Sequence, residues 1–229
     1  MAMGGFHFVT GPFTSHKSFL PDEQYAVALD NFVKGCSDML LTDSQGKIFL
    51  GYRTVFPQPD WWYVGGRMMP GESPSASCSR LLKRELSLNL EPARFVPFTY
   101  NSLVFGMREQ EPKDHGTCDI NVVLTAELSD AEVAAIKFDP KEYGDMKWVT
   151  PEEILAGKYH PAVQYSCRCL LAHQKLKEMQ ACGGGDDAKL AGLAREYCAL
   201  TIPPEFGVSE YKCVSAQRNY ECDVTVSPH

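Results

Sequence analysis

Apolar and polar positions follow two rhythms along the chain, one with the period of a strand and one with the period of a helix. Pro21-Asp22-Glu23 opens a segment in which Tyr25, Ala28, Leu29, Phe32 and Val33 recur at helical spacing. Cys36 to Thr42 and Lys47 to Arg53 then read as two strands, joined by the turn signal Asp43-Ser44-Gln45-Gly46. Trp61 to Val64 is a short aromatic strand that runs into Gly65-Gly66, and Pro74 to Leu86 has the period of a helix. Phe95 to Tyr100, Leu103 to Met107 and Asp119 to Leu128 look like further strands, rich in Val, Phe and Thr.

Ser129-Asp130-Ala131-Glu132 has the form of a capping box, in which the serine and the glutamate satisfy each other's free amides at the start of a helix. Met146 to Val149 reads as a short strand, and Thr150-Pro151-Glu152-Glu153 as a second helix start. A longer helix is predicted over Pro161 to Met179. Gly183-Gly184-Gly185-Asp186-Asp187 is a linker, followed by a helix over Ala188 to Leu200 and an irregular end. Strands and helices mixed in this order predict an α/β/α sandwich around a mixed sheet. The expected divisions are an N-terminal segment over 1–35, a main domain over 36–180, and a linker with a C-terminal extension over 181–229.

Composition narrows the class of partner. The chain has 229 residues, 44% of them hydrophobic and 22% charged, as expected of a globular protein that buries a sizeable core. A net charge of −7 argues against non-specific binding to nucleic acid or to a membrane surface, both of which need a basic face. An acidic protein that binds phosphates must gather its few cations locally or recruit a metal. The nine cysteines are odd in number and lack Cys-x-x-Cys spacing, which points to reduced thiols and away from zinc or a disulfide scaffold. The N-terminal residues have neither a basic start nor a continuous apolar stretch, so no signal peptide is expected. The apolar runs are too short to span a bilayer. A cytoplasmic location is the expectation.

One helix carries most of the chemical information. On a wheel with Cys78 at zero and about 100° per residue, Leu81 falls at about 300°, Leu82 at about 40° and Leu86 at about 80°. Glu85 falls at about 340°, inside that apolar stripe, while Arg80, Lys83, Arg84 and Ser87 lie on the other side. A carboxylate facing a core must be paired or bound to a metal, because burying it alone costs too much. An ion pair with an arginine from a neighbouring element and a metal site both satisfy that requirement. Gly65-Gly66, just ahead of the helix, would let phosphate oxygens or a metal approach the backbone closely.

The spacing of these residues resembles the Nudix family signature of Gly, five residues, Glu, seven residues, then Arg-Glu-aliphatic-x-Glu-Glu-x-Gly-aliphatic. Gly66, Glu72 and Arg80 match in register, as do Leu82, Glu85 and Leu88. Leu81 and Arg84 stand where the family has two of its helix glutamates, and Ser87 replaces the glycine. This form is similar to the variant signature of GDP-mannose mannosyl hydrolases, which also replace two helix glutamates and use a single metal. That branch carries an Asp and a Gly-x-Arg-Thr on the preceding strands, matched here by Asp38 and Gly51-Tyr52-Arg53-Thr54.

The resemblance implies a Nudix-type sandwich with a C-terminal extension, and a set of roles. The carbonyl of Gly65 and the carboxylate of Glu85 would hold one Mg²⁺, with Mn²⁺ as the alternative. Arg53 and Arg67 would contact the diphosphate, Arg67 also acting in catalysis, since planar guanidinium groups match phosphate oxygens. Asp38 would contact the sugar or orient an arginine, and Glu72 with Arg80 would fix the loop that begins at Gly66. In that branch a His on a loop before a Trp is the base, and the residue before it helps bind metal. Anchored on Trp148, those positions are Tyr143 and Glu142. Tyrosine, with an ordinary pKa of about 10, is a poor base at neutral pH. Glu142 is then expected to activate water, or to ligate the metal while Asp145 takes the proton. His115 and His160 have nothing in sequence that brings them to the site, and Trp61, Trp62 and Tyr63 read as core unless they stack on a base.

The expected activity is Mg²⁺-dependent hydrolysis of a nucleotide sugar, GDP-mannose-like, releasing sugar and nucleoside diphosphate. The alternatives are attack on phosphorus in another nucleoside diphosphate derivative, or a catalytically weak Nudix fold that binds a nucleotide or a partner. The expected ligand is such a small molecule, with no nucleic acid or membrane partner, and a homodimer is compatible with the tail.

Overall fold

The central strand of the sheet, β1 (Lys34–Thr42), is buried along its last seven residues, so its sequence carries almost no solvent-facing polar positions. A computed structural model of the chain describes residues 7–138, 140–182 and 186–201, and the backbone of Val208–Cys213 and Cys222–Val226. The chain divides into two compact units, one running to Val149 and one beginning at Thr150.

The first unit is built on a seven-stranded mixed sheet. One edge of β1 pairs in parallel with β6 (Thr117–Glu127), which pairs in turn with the outer strand β5 (Val96–Phe105). The other edge is shared. β2 (Ile48–Arg53) meets the C-terminal end of β1 at Thr42↔Ile48, and β4 (Val64–Arg67) takes the half from Cys36 to Met39. The expected Asp43–Gly46 turn joins β1 to β2, with the Asp43 carboxylate accepting the amides of Gln45 and Lys47. β3 (Trp61–Trp62) and β7 (Tyr143–Val149) complete the sheet against β2. The mixed sheet and its helices give the α/β class predicted from the element order.

Helix α2 (Pro74–Leu86) runs between the predicted bounds. Ser73 caps it by accepting the amide of Ala76, Pro74 begins it, and Ser87 ends it in the left-handed conformation. Its Cys78, Leu81, Leu82 and Leu86 share one core cluster with Met39, Leu41, Phe49, Val64 and Leu124 of the sheet. Each of these buried leucines contributes about 1.5–3 kcal/mol. The capping box at Ser129 forms as expected at the start of α3 (Asp130–Ala134).

Three expectations need correction in this unit. Helix α1 (Asp22–Asn31) buries Ala26 and Leu29, while Phe32 and Val33 lie past its end at 73% and 59% exposure. The helical period had stopped at Asn31. The segments 95–100 and 103–107 form one strand, because Asn101 is buried and donates to the Tyr63 hydroxyl and does not mark a turn. β7 begins at Tyr143, three residues before its predicted start, because β2 pairs with the segment read as a loop.

In the second unit the Thr150 capping box starts α4 (Pro151–Ala156). The Gln164 side chain donates to the carbonyl of Gly157, tying that end to α5 (Pro161–Ala181). Lys175 of α5 pairs with Glu196 of α6 (Asp187–Thr201) at 2.9 Å. Gly183 to Gly185 of the predicted linker lie outside the described residues. The end read as irregular contains an antiparallel pair, β8 (Val208–Cys213) with β9 (Cys222–Val226), in keeping with the β-branched residues of both segments.

Candidate functional site

Glu85 does point inward, as its place on the wheel requires, and its side chain is 2% exposed. Both carboxylate oxygens are engaged. Oε1 is 2.5 Å from a guanidinium nitrogen of Arg84, and Oε2 accepts the Tyr143 hydroxyl at 2.5 Å. Burial pushes the Glu85 carboxyl above its ordinary value, against the opposing pull of Tyr143 and Arg84. Tyr143 is itself pushed well above its ordinary value by burial and by the charge of Glu85. It is therefore a protonated hydrogen-bond donor to Glu85 and cannot serve as a base near neutrality.

A β-bulge brings Tyr143 there. The register between β2 and β7 shifts between Tyr52 and Arg53, which face Asp145 and Tyr143, so Gly144 is the extra residue. The Tyr143 ring lies across Gly51, where an added Cβ would meet ring carbons at 2.5 and 2.7 Å. The glycine of the Gly51-Tyr52-Arg53-Thr54 segment thus makes room for the tyrosine.

Arg53 follows at the end of β2. One of its terminal nitrogens is 3.9 Å from a Glu142 carboxylate oxygen, and its Nε is buried with no hydrogen-bond partner. The Arg53 charge pulls down the carboxyls of both Asp38 and Glu85, which brings these residues into one electrostatic cluster. Asp38 is buried and accepts a hydrogen bond from the Asn121 amide. Burial carries its carboxyl up to about 7; Asn121 and Arg53 oppose the rise, and Asp119 and Glu85 add to it.

Gly65 lies opposite Asp38 in the β1–β4 pairing. A Cβ on Gly65 would sit 1.9 Å from Asp38 Oδ1, so this glycine is required by the aspartate beside it. Gly66 is less constrained: an added Cβ would meet Leu81 at 3.5 Å and Arg84 at 3.9 Å. The loop after Gly66 is held by a two-point contact in which Arg80 donates to both oxygens of Glu72 at 2.6 and 2.8 Å. Arg80 also reaches the Arg67 carbonyl, and Glu72 accepts the Met69 amide.

Other named residues lie farther out. Arg67 is exposed, with its guanidinium 4.8 Å from the centre of the Tyr25 ring. Asp145 is exposed on β7 and accepts the amide of Met146. His115 is an exposed neighbour of Asp30 at 3.3 Å, and His160 caps α5 through the Ala162 amide. Trp62 and Tyr63 are core residues, whereas Trp61 is partly exposed with the Lys147 ammonium 3.8 Å from its ring centre. Sequence reasoning missed the Tyr143–Glu85 and Asn121–Asp38 contacts, and the arginine that pairs with Glu85 is Arg84 of the same helix, not one from a neighbouring element. Among the described residues, no group of three or more His, Cys, Asp or Glu side chains is arranged to hold a metal.

A buried carboxylate on a helix, held by Arg84 and Tyr143 and under the charge of Arg53, defines an α/β protein with a polar site where α2 meets β4 and β7. The sequence profile of the NUDIX domain family matches residues 36–168. The chain therefore belongs to the NUDIX domain family and is a hydrolase of the Nudix superfamily. Such enzymes act on nucleoside diphosphate derivatives and generally use Mg²⁺ or Mn²⁺. Among solved structures it is similar to the MutT NUDIX hydrolase from Burkholderia pseudomallei, at 16% identity over 61% of this chain and 99% of that chain, with a TM-score of 0.50. The NUDIX domain of Shewanella oneidensis NrtR, complexed with ADP ribose, matches at 14% identity over 68% and 99%, with a TM-score of 0.48. A C. elegans Ap4A hydrolase matches at 16% identity over 62% and 98%, with a TM-score of 0.47. Among the described residues no helix is long and apolar enough to cross a membrane.

Proposed function

We propose that the chain hydrolyses a nucleotide sugar of the GDP-mannose kind with Mg²⁺ or Mn²⁺, giving free sugar and nucleoside diphosphate. The observation that carries this reading is the buried, unbonded Nε of Arg53, a cationic donor next to Asp38 and Glu85. A buried donor without a partner costs about 1–3 kcal/mol, a cost that an incoming phosphate oxygen would remove. Arg67, exposed at the end of β4, is the proposed second phosphate contact.

We infer that Glu85, Glu142 and the Gly65 carbonyl would share one hard cation with substrate phosphates. Two carboxylates (Glu85 and Glu142) and the Gly65 carbonyl are too few for an all-protein cage, but Mg²⁺ is commonly held by one or two carboxylates plus phosphates. When bound, the ion would supply positive charge against the charge that develops on the departing diphosphate. Tyr143 holds the Glu85 carboxylate in place. Asp38 orients Arg53. With Tyr143 unable to accept a proton, Glu142 is the proposed acceptor of the proton from water; Asp145 takes that part where Glu142 is a ligand. The proposed setting is the cytoplasm, in keeping with seven described cysteines that are all free thiols, and a homodimer is the proposed assembly.

The experiment is a panel of nucleotide sugars and dinucleotides incubated with Mg²⁺, with products separated by chromatography. Free sugar with nucleoside diphosphate supports attack at the sugar carbon; sugar phosphate with nucleoside monophosphate replaces it with attack at phosphorus. Glu85→Gln should abolish the Mg²⁺-dependent turnover while leaving the circular dichroism spectrum unchanged. Full activity in that variant overturns the metal assignment.

A further inference from the structure

Arg84 occupies a helix position at which the family signature has a glutamate, and its guanidinium lies on the carboxylate that the proposed metal needs. The Arg84 nitrogen is 2.5 Å from Glu85 Oε1 and lies 3.9 Å from where a Cβ on Gly66 would stand. The second oxygen of Glu85 is closed by Tyr143. A cation arriving from solvent at Glu85 therefore meets a positive charge already in its place.

We propose that Arg84 is an internal competitor for the divalent cation at Glu85, so that the free protein holds metal weakly and the ion enters together with a diphosphate. This inference rests on the metal reading given above. The two residues that close Glu85 differ in how readily they can leave. Tyr143 is 2% exposed and packed across Gly51, whereas the Arg84 side chain is 53% exposed on a flexible stem. Arg84 can swing off Glu85 with little repacking, and a guanidinium released next to an arriving diphosphate has an acceptor at hand. Without the diphosphate, an unpaired Arg84 would stand beside the cation at the same carboxylate, and their repulsion opposes binding.

The test is a titration of the full chain with Mn²⁺, free ion being counted by electron paramagnetic resonance and no nucleotide present. Arg84→Ala and Arg84→Gln should each bind Mn²⁺ at least about ten-fold tighter than the wild type. Arg84→Lys, which keeps the charge, should stay near the wild type, and adding Glu85→Gln to Arg84→Ala should remove the gain. Equal, Glu85-dependent binding in the wild type and Arg84→Ala overturns the inference and leaves the metal reading standing. No Mn²⁺ binding by any variant, even with GDP added, overturns both. Near-ultraviolet circular dichroism verifies that each variant keeps its packing, which the exposure of Arg84 favours.

Discussion

Replacing Asp38 with asparagine removes one charge from the cluster while keeping an oxygen to accept the Asn121 amide. Burial carries the Asp38 carboxyl from 3.8 up to about 7, whereas in the unfolded chain it returns to about 3.9. A carboxyl raised in the folded state favours the protonated form there. Its contribution to stability is fully present below about pH 4 and is lost as pH climbs through about 7. A rise of about three pH units, at about 1.4 kcal/mol each, amounts to about 4 kcal/mol. That is a large share of the 5–15 kcal/mol or so that holds an ordinary domain together. Urea unfolding of wild type and Asp38→Asn at several values between about pH 4 and pH 8, read as midpoints at constant slope, measures it. The wild type should lose stability relative to the variant across that window, by several kcal/mol in all. Glu85, pushed in the same direction, titrates in both proteins and largely cancels. A difference that stays flat with pH, or that turns in favour of the wild type, would refute the reasoning, since it would mean that Arg53 holds Asp38 ionised.

Two backbone predictions can be measured by the same unfolding assay. Gly65→Ala would put a Cβ 1.9 Å from Asp38 Oδ1 and 2.7 Å from Asp38 Cα, so it should cost about 3 kcal/mol or more. Gly66→Ala, with its first contact at 3.5 Å, should stay within about 1 kcal/mol of wild type; equal effects would refute the difference in packing. Ser87 ends α2 with φ at 57°, a conformation that favours glycine. Ser87→Gly should therefore stabilise by about 0.5–1 kcal/mol and raise Tm by about 1–4 °C, and a lower Tm in calorimetry would count against it.

What the sequence made legible was local. The bounds of α2, the two capping boxes and the Asp43–Gly46 turn depend on neighbours a few residues away, and each formed as read. The inward turn of Glu85 was likewise fixed by helical geometry alone. Distant partners were not legible. Asn101-Ser102 looked like a break because nothing nearby announced that Tyr63 would meet the Asn101 amide. Tyr143 stood in a segment read as a loop, yet β2 recruits it into a strand and its hydroxyl finds a glutamate 58 residues away. Gly65 suggested an opening for a phosphate or a metal; the space a side chain would fill is taken by Asp38, on the strand paired with it.

The two substitutions in the helix signature act on the site in different ways. Leu81, in place of a glutamate, is 1% exposed and belongs to the core cluster, with a methyl group 3.5 Å from the Cβ position of Gly66. It removes a negative charge and puts an apolar side chain beside Gly66. Arg84 removes another negative charge and adds a positive one, so the acidic face implied by the family pattern becomes a single carboxylate paired with a guanidinium. With that balance the helix has little net field to attract a free cation, whereas an anionic diphosphate brings negative charge of its own. On the proposed metal reading, both changes would favour ligand and metal arriving together, and leave Glu85 as the one carboxylate on α2 whose loss should remove metal binding.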